Sequence, residues 1–440
     1  MTTVDPQAST ELPTTDLDLP ARSSVRLQSL GLFFLLLGGA LVVISGNVPV
    51  EDVTLVFGLG DLAPRIPVDP PNAVLAIALL YLAAGGVALA HRWTGRYATV
   101  ALIGAAVLVV PLVLILSVAL SSATQTNLLP LLTEALRLST PIALGALAGL
   151  WCERAGVVNI GIEGMMLASA GIGFTFYAAV GGAAGGPWLV VAVLVSIAVG
   201  GLLGLLHAVL SVTYRTDQII SGVAINLLAI GVTSFLRRQV LLPLGVGTGV
   251  TLSTIEIPVL SSLPVVGQTL FVGKPIFFSM FFLVLLTQIV LFRTPWGLRV
   301  RSVGENPHAA ETLGVSVVRT RYQSVILGGM IAGLAGAWFS LETVGSFEDL
   351  MTNGTGFIAL AALIFGKWRP WPAFGGALLF GFSSALGSRI QLLGVEVGGF
   401  PVPSQFLQAL PYVVTIIVLA GAIGRAIPPA ADGIPYQPSR

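Results

Sequence analysis

About twelve apolar runs, most of them close to 20 residues long, follow one another along the chain. Crossing the hydrocarbon core of a bilayer takes about 20 apolar residues in a helix. The runs cover residues 27–46, 72–91, 97–119, 129–150, 161–180, 188–210, 218–238, 276–293, 322–343, 353–366, 372–390 and 406–424. The seventh run contains Asn226 and the tenth is short and glycine-rich, so either could be broken or re-entrant. We predict an all-α polytopic membrane protein with about twelve transmembrane helices.

The composition argues against a soluble protein, and it gives no sign of a nucleic-acid-binding protein, a disulfide-bonded protein or a metalloprotein. Of the 440 residues, 55% are hydrophobic and 9% are charged, whereas a soluble domain has roughly a quarter charged residues. The net charge of +1 gives no sign of a nucleic-acid partner. The single cysteine, Cys152, excludes an intrachain disulfide. The three scattered histidines form no metal set, and no arrangement of a nucleophile with a base is present, so we predict no metal site and no catalytic residues.

The distribution of basic residues predicts the orientation. Residues 294–321 form a polar loop rich in arginine, and basic loops face the cytoplasm. Alternating from there leaves most of the 21 basic residues inside and puts the acidic loop 47–71 outside. Both termini are then cytoplasmic. Residues 1–26, polar and rich in proline and threonine, are expected to be a disordered tail, and residues 426–440 a second cytoplasmic tail.

Two stretches repeat one pattern. Residues 141–171 and 328–366 each contain a helix of small residues, a polar break and a helix start with asparagine and glycine, and residues 200–211 resemble 375–388. In the predicted topology the copies run in opposite directions, which indicates an inverted repeat with the path between its halves. We predict a ten-span core over residues 97–425, with halves at about 97–238 and 276–425, and an extra pair of spans in residues 27–96. The alternative is that helices rich in glycine and alanine resemble each other by composition alone.

Polar side chains inside these runs are costly to bury and often mark a path. Asn159 and Glu163 are four residues apart and would share one helix face. Their alternative roles are helix capping or a buried hydrogen bond.

Further candidates lie in two later runs. Gln218, Ser221 and Asn226 occupy the seventh, after Asp217, which we interpret as an ordinary helix N-cap. Asn353, Thr355 and Phe357 stand at the corresponding helix start of the second copy. An amide and a ring at a broken helix suit an uncharged polar ligand with an aromatic or sugar face. The alternative for these residues is packing plus a cap.

The cytoplasmic loop contains the sequence GENPHAAETLG. Asn306 can cap a helix that Pro307 begins, and Gly314 ends it. Ala309 and Ala310 are expected to leave one side flat enough for close docking. We predict a docking segment made of Gly304, Glu305, Asn306, Pro307, His308, Ala309, Ala310 and Gly314. The alternative is an ordinary connecting loop.

These motifs carry a resemblance to a known family. GENPHAAETLGV resembles the cytoplasmic coupling motif of ABC-importer permeases of the ribose and branched-chain amino acid type. ERAGVVNIGIEGMM is similar to the signature of their simple-sugar-like, nucleoside-importing subfamily, and DQIISGVAINLLAIGV and residues 354–381 also match its pattern. The resemblance covers roughly residues 125–425. The family typically begins near residue 125, so the spans between residues 24 and 121 are a departure.

The resemblance implies one of two permease subunits in the bacterial inner membrane. Its partners would be an ATPase subunit, a second permease that is usually a different chain, and an extracytoplasmic binding protein or lipoprotein. This chain would hold no cofactor itself, since ATP and magnesium bind the ATPase. The cargo would be a nucleoside or a related small polar solute, with simple sugars or branched-chain amino acids as alternatives. An ion-coupled secondary transporter, with Glu163 and Glu342 as candidate ion-coupling groups, is the alternative from another class.

Overall fold

The computed structural model is mainly helical over the residues that it describes. It describes residues 22–48, 52–56, 64–90, 96–121, 125–180, 186–245, 249–394, 396–397, 400–401, 403–412 and 426–438. The chain divides into two compact units, one of residues 1–50 and 69–116 and the other of residues 51–68 and 117–440. The first unit holds α1 (Arg22–Ser45), α2 (Pro70–Leu89) and most of α3 (Arg96–Ala119). Residues 22–26 of the predicted tail are therefore helical, and residues 1–21 lie outside the described part.

Short strands in the second unit were absent from our prediction. β1 (Val53–Val56) pairs antiparallel with β2 (Arg65–Val68) and parallel with β3 (Gln125–Asn127). Two-residue strands form two further pairs, β4 (Ile255–Glu256) with β5 (Val272–Gly273) and β6 (Glu396–Val397) with β7 (Phe400–Pro401). The acidic loop of residues 47–71 thus contains a small hairpin.

The second unit is built from the remaining helices. Those in its first part are α4 (Leu128–Glu153), α5 (Ile162–Val180), α6 (Pro187–Ala208) and α7 (Gln218–Leu236). Those in its second part are α8 (Val266–Leu270), α9 (Pro275–Arg293), α10 (Pro295–Glu305), α11 (Pro307–Thr312), α12 (Val317–Ala337), α13 (Thr355–Phe365), α14 (Pro370–Leu392) and α15 (Ser404–Gln408). Wider π-helical turns extend α6, α7 and α12, over Val209–Thr213, Arg237–Leu241 and Trp338–Val344.

Eight of the described helices are long and apolar enough to cross a membrane. They coincide with the first, second and fourth to ninth predicted runs, and the third and eleventh runs are the 24-residue α3 and the 23-residue α14. The seventh run is continuous from Gln218 to Leu244. The tenth is the 11-residue α13, about 16 Å long at 1.5 Å per residue, too short to span. Most of the twelfth run, 406–424, lies outside the described residues, so the number twelve stays a prediction.

The helices of the second unit pack reciprocally. α4 packs along α14 and α12 packs along α6, while α4 and α12 also contact each other. α13 packs on α4, and α5 packs on α12. A Cβ added at Gly200 would lie 2.2 Å from the carbonyl oxygen of Gly329, so α6 and α12 touch through their backbones. This exchange of equivalent helices supports two equivalent halves, although their inverted orientation stays a prediction.

Two breaks in the helices stand at equivalent places. The first break, residues 154–161, separates α4 from α5, and the second break, residues 345–354, separates the π-helical end of α12 from α13. Non-helical backbone at membrane depth must have its polar groups covered by protein or by water. The side chains that cover the breaks are therefore the first place to look for a functional site.

Candidate functional site

Helix α7 lies against the first break and covers its backbone. The Gln218 side-chain oxygen accepts a hydrogen bond from the Val158 N–H at 2.7 Å. The carbonyl oxygen of Val158 lies 2.9 Å from His207 Nε2, and His207 Nδ1 lies 2.9 Å from Ser221 Oγ. Gln218, Ser221 and His207 are all buried. Asp217 caps α7 through the N–H groups of residues 219 and 220, as predicted.

Asn226 lies two turns further along α7 and reaches the start of α5. Its side-chain oxygen accepts from the Gly164 N–H at 2.7 Å, and its amide donates to the Ile160 carbonyl at 3.2 Å. Asn159 belongs to the break rather than to a helix, so the prediction that it shares a helix face with Glu163 was wrong. It is fully buried, and its side-chain oxygen accepts from the Gly161 N–H at 3.0 Å. The geometry of Asn159 is that of a local turn.

Glu163, in the first turn of α5, joins the two breaks. One carboxylate oxygen accepts from Thr352 Oγ1 at 2.6 Å and from the Gly354 N–H at 2.9 Å. The other accepts from the Gly356 N–H at 2.6 Å. The carboxylate therefore caps the N-terminus of α13 from the neighbouring half, where the helix dipole favours negative charge.

Next to this capped helix end lies a polar cavity of about 270 Å³. Its polar lining residues include Asn353, Thr355, Ser384, Ser388, Gln391 and Tyr412. The described residues that line it are all uncharged, and the Glu163 carboxylate lies behind them, bound to Gly354 and Gly356. Of the predicted path residues, Asn353 and Thr355 are thus brought to one cavity, whereas Phe357 is 48% exposed and does not line it. The aromatic ring comes from Tyr412 instead.

A second, charged cavity of about 240 Å³ was missed by the sequence analysis. It is lined by Glu134, Arg137, Lys274 and Glu342, with Phe277 and Trp338. The Glu342 carboxylate accepts from the N–H groups of Ile276 and Phe277 at 2.6 and 3.0 Å, so it caps α9. Burial lowers the pKa of Lys274, although the neighbouring Glu342 opposes the shift. The sequence shows no local pattern for this cavity, because its lining residues come mainly from α4, α9 and the end of α12, which meet only in the fold.

The predicted docking segment, residues 304–314, forms the helix that we expected. Asn306 caps α11 by accepting from the Ala309 N–H at 3.0 Å, Pro307 begins the helix, and Gly314 follows it with φ +79°. Ala309 is exposed, but Ala310 is buried at 2% exposure. The prediction of a flat face shared by both alanines was therefore wrong. The exposed surface of this coupling segment includes Asn306, His308, Ala309 and Leu313, which is 84% exposed.

The coupling segment abuts the first break. A Cβ added at Gly304 would lie 2.2 Å from the carbonyl oxygen of Arg154, so glycine is required for this contact. Glu305 Oε1 lies 3.9 Å from an Arg154 guanidinium nitrogen. Burial lowers the pKa of Arg154, while the nearby Glu305 carboxylate raises it. The start of the coupling segment therefore lies against the backbone at which α4 ends.

Two broken helices, the second of which is capped by a carboxylate of the first half, and a polar cavity beside them are features of membrane transport proteins. The chain belongs to the family described as branched-chain amino acid transport system/permease component, whose profile matches residues 131–420. It is thus a multi-pass permease component of an ABC transport system.

Named relatives agree with this family. The guanosine ABC transporter permease protein NupQ of Bacillus subtilis is 40% identical over 310 residues, which cover 68% of this chain and 93% of the relative. The nucleoside ABC transporter permease protein NupC of Lactococcus lactis is 39% identical over 306 residues, covering 69% and 95%. The putative glucose ABC transporter permease protein TsgC13 of Haloferax volcanii is 36% identical over 308 residues, covering 67% and 92%. No solved structure matches the chain significantly.

Proposed function

We propose that this permease imports nucleosides, and that its cargo passes the uncharged cavity beside α13. The observation that carries the proposal is the lining of that cavity, which offers hydroxyl and amide groups together with the ring of Tyr412. A nucleoside presents hydroxyls on its sugar and a flat aromatic base, which a tyrosine ring can contact. Two of the relatives are named for guanosine and for nucleosides, which supports the same cargo.

The remaining predicted path residues frame this cavity. Glu163 holds the N-terminus of α13, and Asn226 holds the start of α5 on which Glu163 stands. Gln218 accepts a hydrogen bond from the backbone of the first break, and Ser221 contacts His207, which lies against the same break. In this proposal they keep two broken helices in register so that the halves can rock around the path. The predicted halves, 97–238 and 276–425, would be the bodies that rock.

In this proposal, the coupling segment transmits the movement of the ATPase to the permease. A separate ATPase subunit would dock on the exposed residues Asn306, His308, Ala309 and Leu313, and its closure would displace α11. This chain would carry out no bond chemistry, and ATP with magnesium would bind the ATPase. The other partners would be a second, different permease chain and an extracytoplasmic binding protein. The chain would lie in a bacterial cell membrane with both termini in the cytoplasm.

Sugars remain the second candidate cargo, because the cavity hydroxyls suit them and one relative is named for glucose. A branched-chain amino acid is disfavoured. Its ammonium and carboxylate groups are costly to desolvate without charged partners, and the residues described around the cavity are uncharged.

Ion coupling is also disfavoured. It would need carboxylates free to exchange a proton or sodium ion at membrane depth. Glu163 and Glu342, the two candidates, accept hydrogen bonds from the N-termini of α13 and α9. A carboxylate that exchanged its ion would have to release a helix end in each cycle.

The test is uptake of labelled guanosine by cells that express the permease with its ATPase and binding protein. Uptake is expected to require an ATPase able to hydrolyse ATP and to be inhibited by other nucleosides, but not by glucose or leucine. Uptake that persists with an inactive ATPase, or that collapses with a protonophore while ATP is kept constant, contradicts ATP-driven import. If glucose inhibits uptake and other nucleosides do not, the cargo is a sugar and not a nucleoside.

A further inference from the structure

The C-terminal strap, residues 426–438, packs on the coupling segment. The Ala431 N–H donates to the Gly304 carbonyl at 2.8 Å. The Ala430 N–H donates to Glu305 Oε2 at 3.2 Å. The strap thus binds the two residues at which the coupling segment begins, although our sequence analysis treated it as a plain tail.

A side chain of the strap also enters the core beneath α11. Tyr436 is 6% exposed and packs with Val303, Ala310 and Val317. Its ring centroid lies 5.4 Å from that of His308. The burial of Ala310 is explained by this contact, because Tyr436 occupies the side of α11 that turns away from solvent. The helix is therefore held between the strap and its outer, exposed surface.

The same strap reaches the first break. The backbone carbonyl of Ile434 accepts a hydrogen bond from Arg321, a fully buried arginine at the start of α12, at 3.1 Å. Gly156 in the break has φ +80°, and a Cβ there would lie 3.0 Å from the Ala431 carbonyl oxygen. Ala431 therefore contacts both the first break, through its carbonyl oxygen, and the coupling segment, through its N–H.

The interface between the strap and the first break is polar, and some of its buried polar atoms lack hydrogen-bond partners in this conformation. Among the described atoms, Arg321 Nε and one of its terminal nitrogens have no hydrogen-bond partner, and neither has Asp432 Oδ1. Arg321 acts electrostatically on Asp432, and Asp432 on Glu153 at the end of α4. Buried polar groups without a partner are unfavourable, so a conformation in which they are paired would be more stable. An interface of this kind suits a segment whose contacts change during a transport cycle.

We propose that the C-terminal strap is a clamp that makes the coupling segment and the first break move as one body. This inference rests on the proposed docking of an ATPase at α11. Gly304 and Arg154 touch directly, and Glu305 forms an ion pair with Arg154 at 3.9 Å. The strap adds a second connection, because it donates hydrogen bonds to Gly304 and Glu305, accepts one from Arg321 of α12 and packs against Gly156 of the break. Without the strap, the described links from the coupling segment to the break would be the Gly304 contact and this long ion pair, and most of the displacement of α11 would not reach α5.

The test compares point variants of the full chain, assembled with the ATPase in membrane vesicles. Tyr436→Ala removes the buried ring, whereas Tyr436→Phe keeps it, and Gln437→Ala changes an exposed neighbour. Ala431→Pro removes the N–H that bonds Gly304. The readouts are co-purification of the ATPase, ATP hydrolysis, guanosine uptake, and amide hydrogen exchange in residues 154–164 with and without a non-hydrolysable ATP analogue.

Tyr436→Ala and Ala431→Pro are expected to keep the ATPase bound and its hydrolysis within about twofold, but to lose uptake by about tenfold or more. The effect of the ATP analogue on exchange in residues 154–164 should also disappear in both. Tyr436→Phe and Gln437→Ala should behave like the parent. If Tyr436→Ala does not fold, Ala431→Pro decides.

Normal uptake in the two disruptive variants, or a loss that is explained by loss of the bound ATPase, overturns the proposal. If exchange in the parent permease responds to the ATP analogue but the parent does not transport guanosine, only the proposed cargo is contradicted. The exchange measurement then still decides the role of the strap.

Discussion

The Glu163 carboxylate lies 2.6 Å from the backbone nitrogen of Gly356, and these two residues are the first-turn residues of helices from opposite halves. Two positive helix ends thus meet around one negative charge. Because the same carboxylate also binds Thr352 and Gly354, the second break takes its shape from a residue of the first half. The position of Asn353 and Thr355 in the cavity therefore depends on Glu163.

Replacing Glu163 should damage both stability and transport. Glu163→Ala leaves two N–H groups and one hydroxyl without their acceptor, at about 1–3 kcal/mol for each buried group. We expect a lower thermal midpoint in detergent and loss of most uptake, with Glu163→Gln intermediate, since its amide oxygen still accepts. The control is Glu348→Gln, at an exposed carboxylate. A normal midpoint for Glu163→Ala would contradict the capping role.

Asn226→Leu tests the cover of the first break separately. It removes the acceptor of the Gly164 N–H and the donor to the Ile160 carbonyl while keeping an apolar side chain of similar size. We expect a loss of about 2–4 kcal/mol in unfolding free energy for two unpaired backbone groups, measured by denaturant titration in detergent. Leu227→Ala, at a 64% exposed neighbour on α7, should change it little. Equal effects of the two variants would mean that Asn226 is ordinary packing.

Local signals in the sequence predicted local structure well. A run of about 20 apolar residues has few stable forms in lipid other than a helix, and ten of the predicted runs lie on helices long enough to span. Asp217 and Asn306 could be recognised as caps because their partners are two or three residues away. Gly314 ends its helix through its own backbone preference.

The failures at the candidate site mostly involve partners that are distant in sequence. Ala310 was placed on an exposed face because nothing near it indicates that Tyr436 covers it. Glu163 was paired with Asn159, yet its partners follow some 190 residues later. His207 was set aside as scattered, although it joins Ser221 to the break. Tyr412 and Ser384 reach the cavity only through the packing of α13, α14 and α15.

Filling the uncharged cavity should block cargo without disturbing the ATPase. Ser384→Phe places a ring among Thr355, Gln391 and Tyr412. We expect guanosine uptake to fall by about tenfold or more, with unchanged co-purification of the ATPase. Leu379→Phe, on the 38% exposed side of α14 and away from the cavity, is the matched control. Normal uptake by Ser384→Phe would place the path elsewhere, with the charged cavity of Glu134 and Lys274 as the next candidate.

The docking role of α11 predicts opposite results at neighbouring positions. Ala309→Trp, alone or with Glu305→Arg, adds bulk on the exposed side and should abolish ATPase co-purification and transport while the permease still inserts. Ala309→Ser should be tolerated. Ala310→Trp would instead collide with Tyr436 and destabilise the strap, which limited proteolysis of the C-terminus can detect. Normal ATPase binding by Ala309→Trp with Glu305→Arg would remove α11 from the interface.

Docking of the strap should depend on pH through Asp432. Burial raises the pKa of Asp432 to about 7, although Arg321 and a hydrogen bond from the Gly433 backbone oppose the shift. Asp432 in turn acts electrostatically on Glu153. The docked strap therefore binds a proton more tightly than the free strap. Docking is strongest below the pKa of a free aspartate, about 3.9, weakens as the pH rises to 7, and is constant above that. Protection of the amides of residues 429–436, taken as the exchange rate of an unstructured peptide at the same pH divided by the observed rate, should accordingly decrease between pH 5.5 and about 7. Asp432→Asn should remove this decrease, and Glu153→Gln should retain it. A decrease that survives Asp432→Asn and disappears in Glu153→Gln would assign the titration to Glu153 instead.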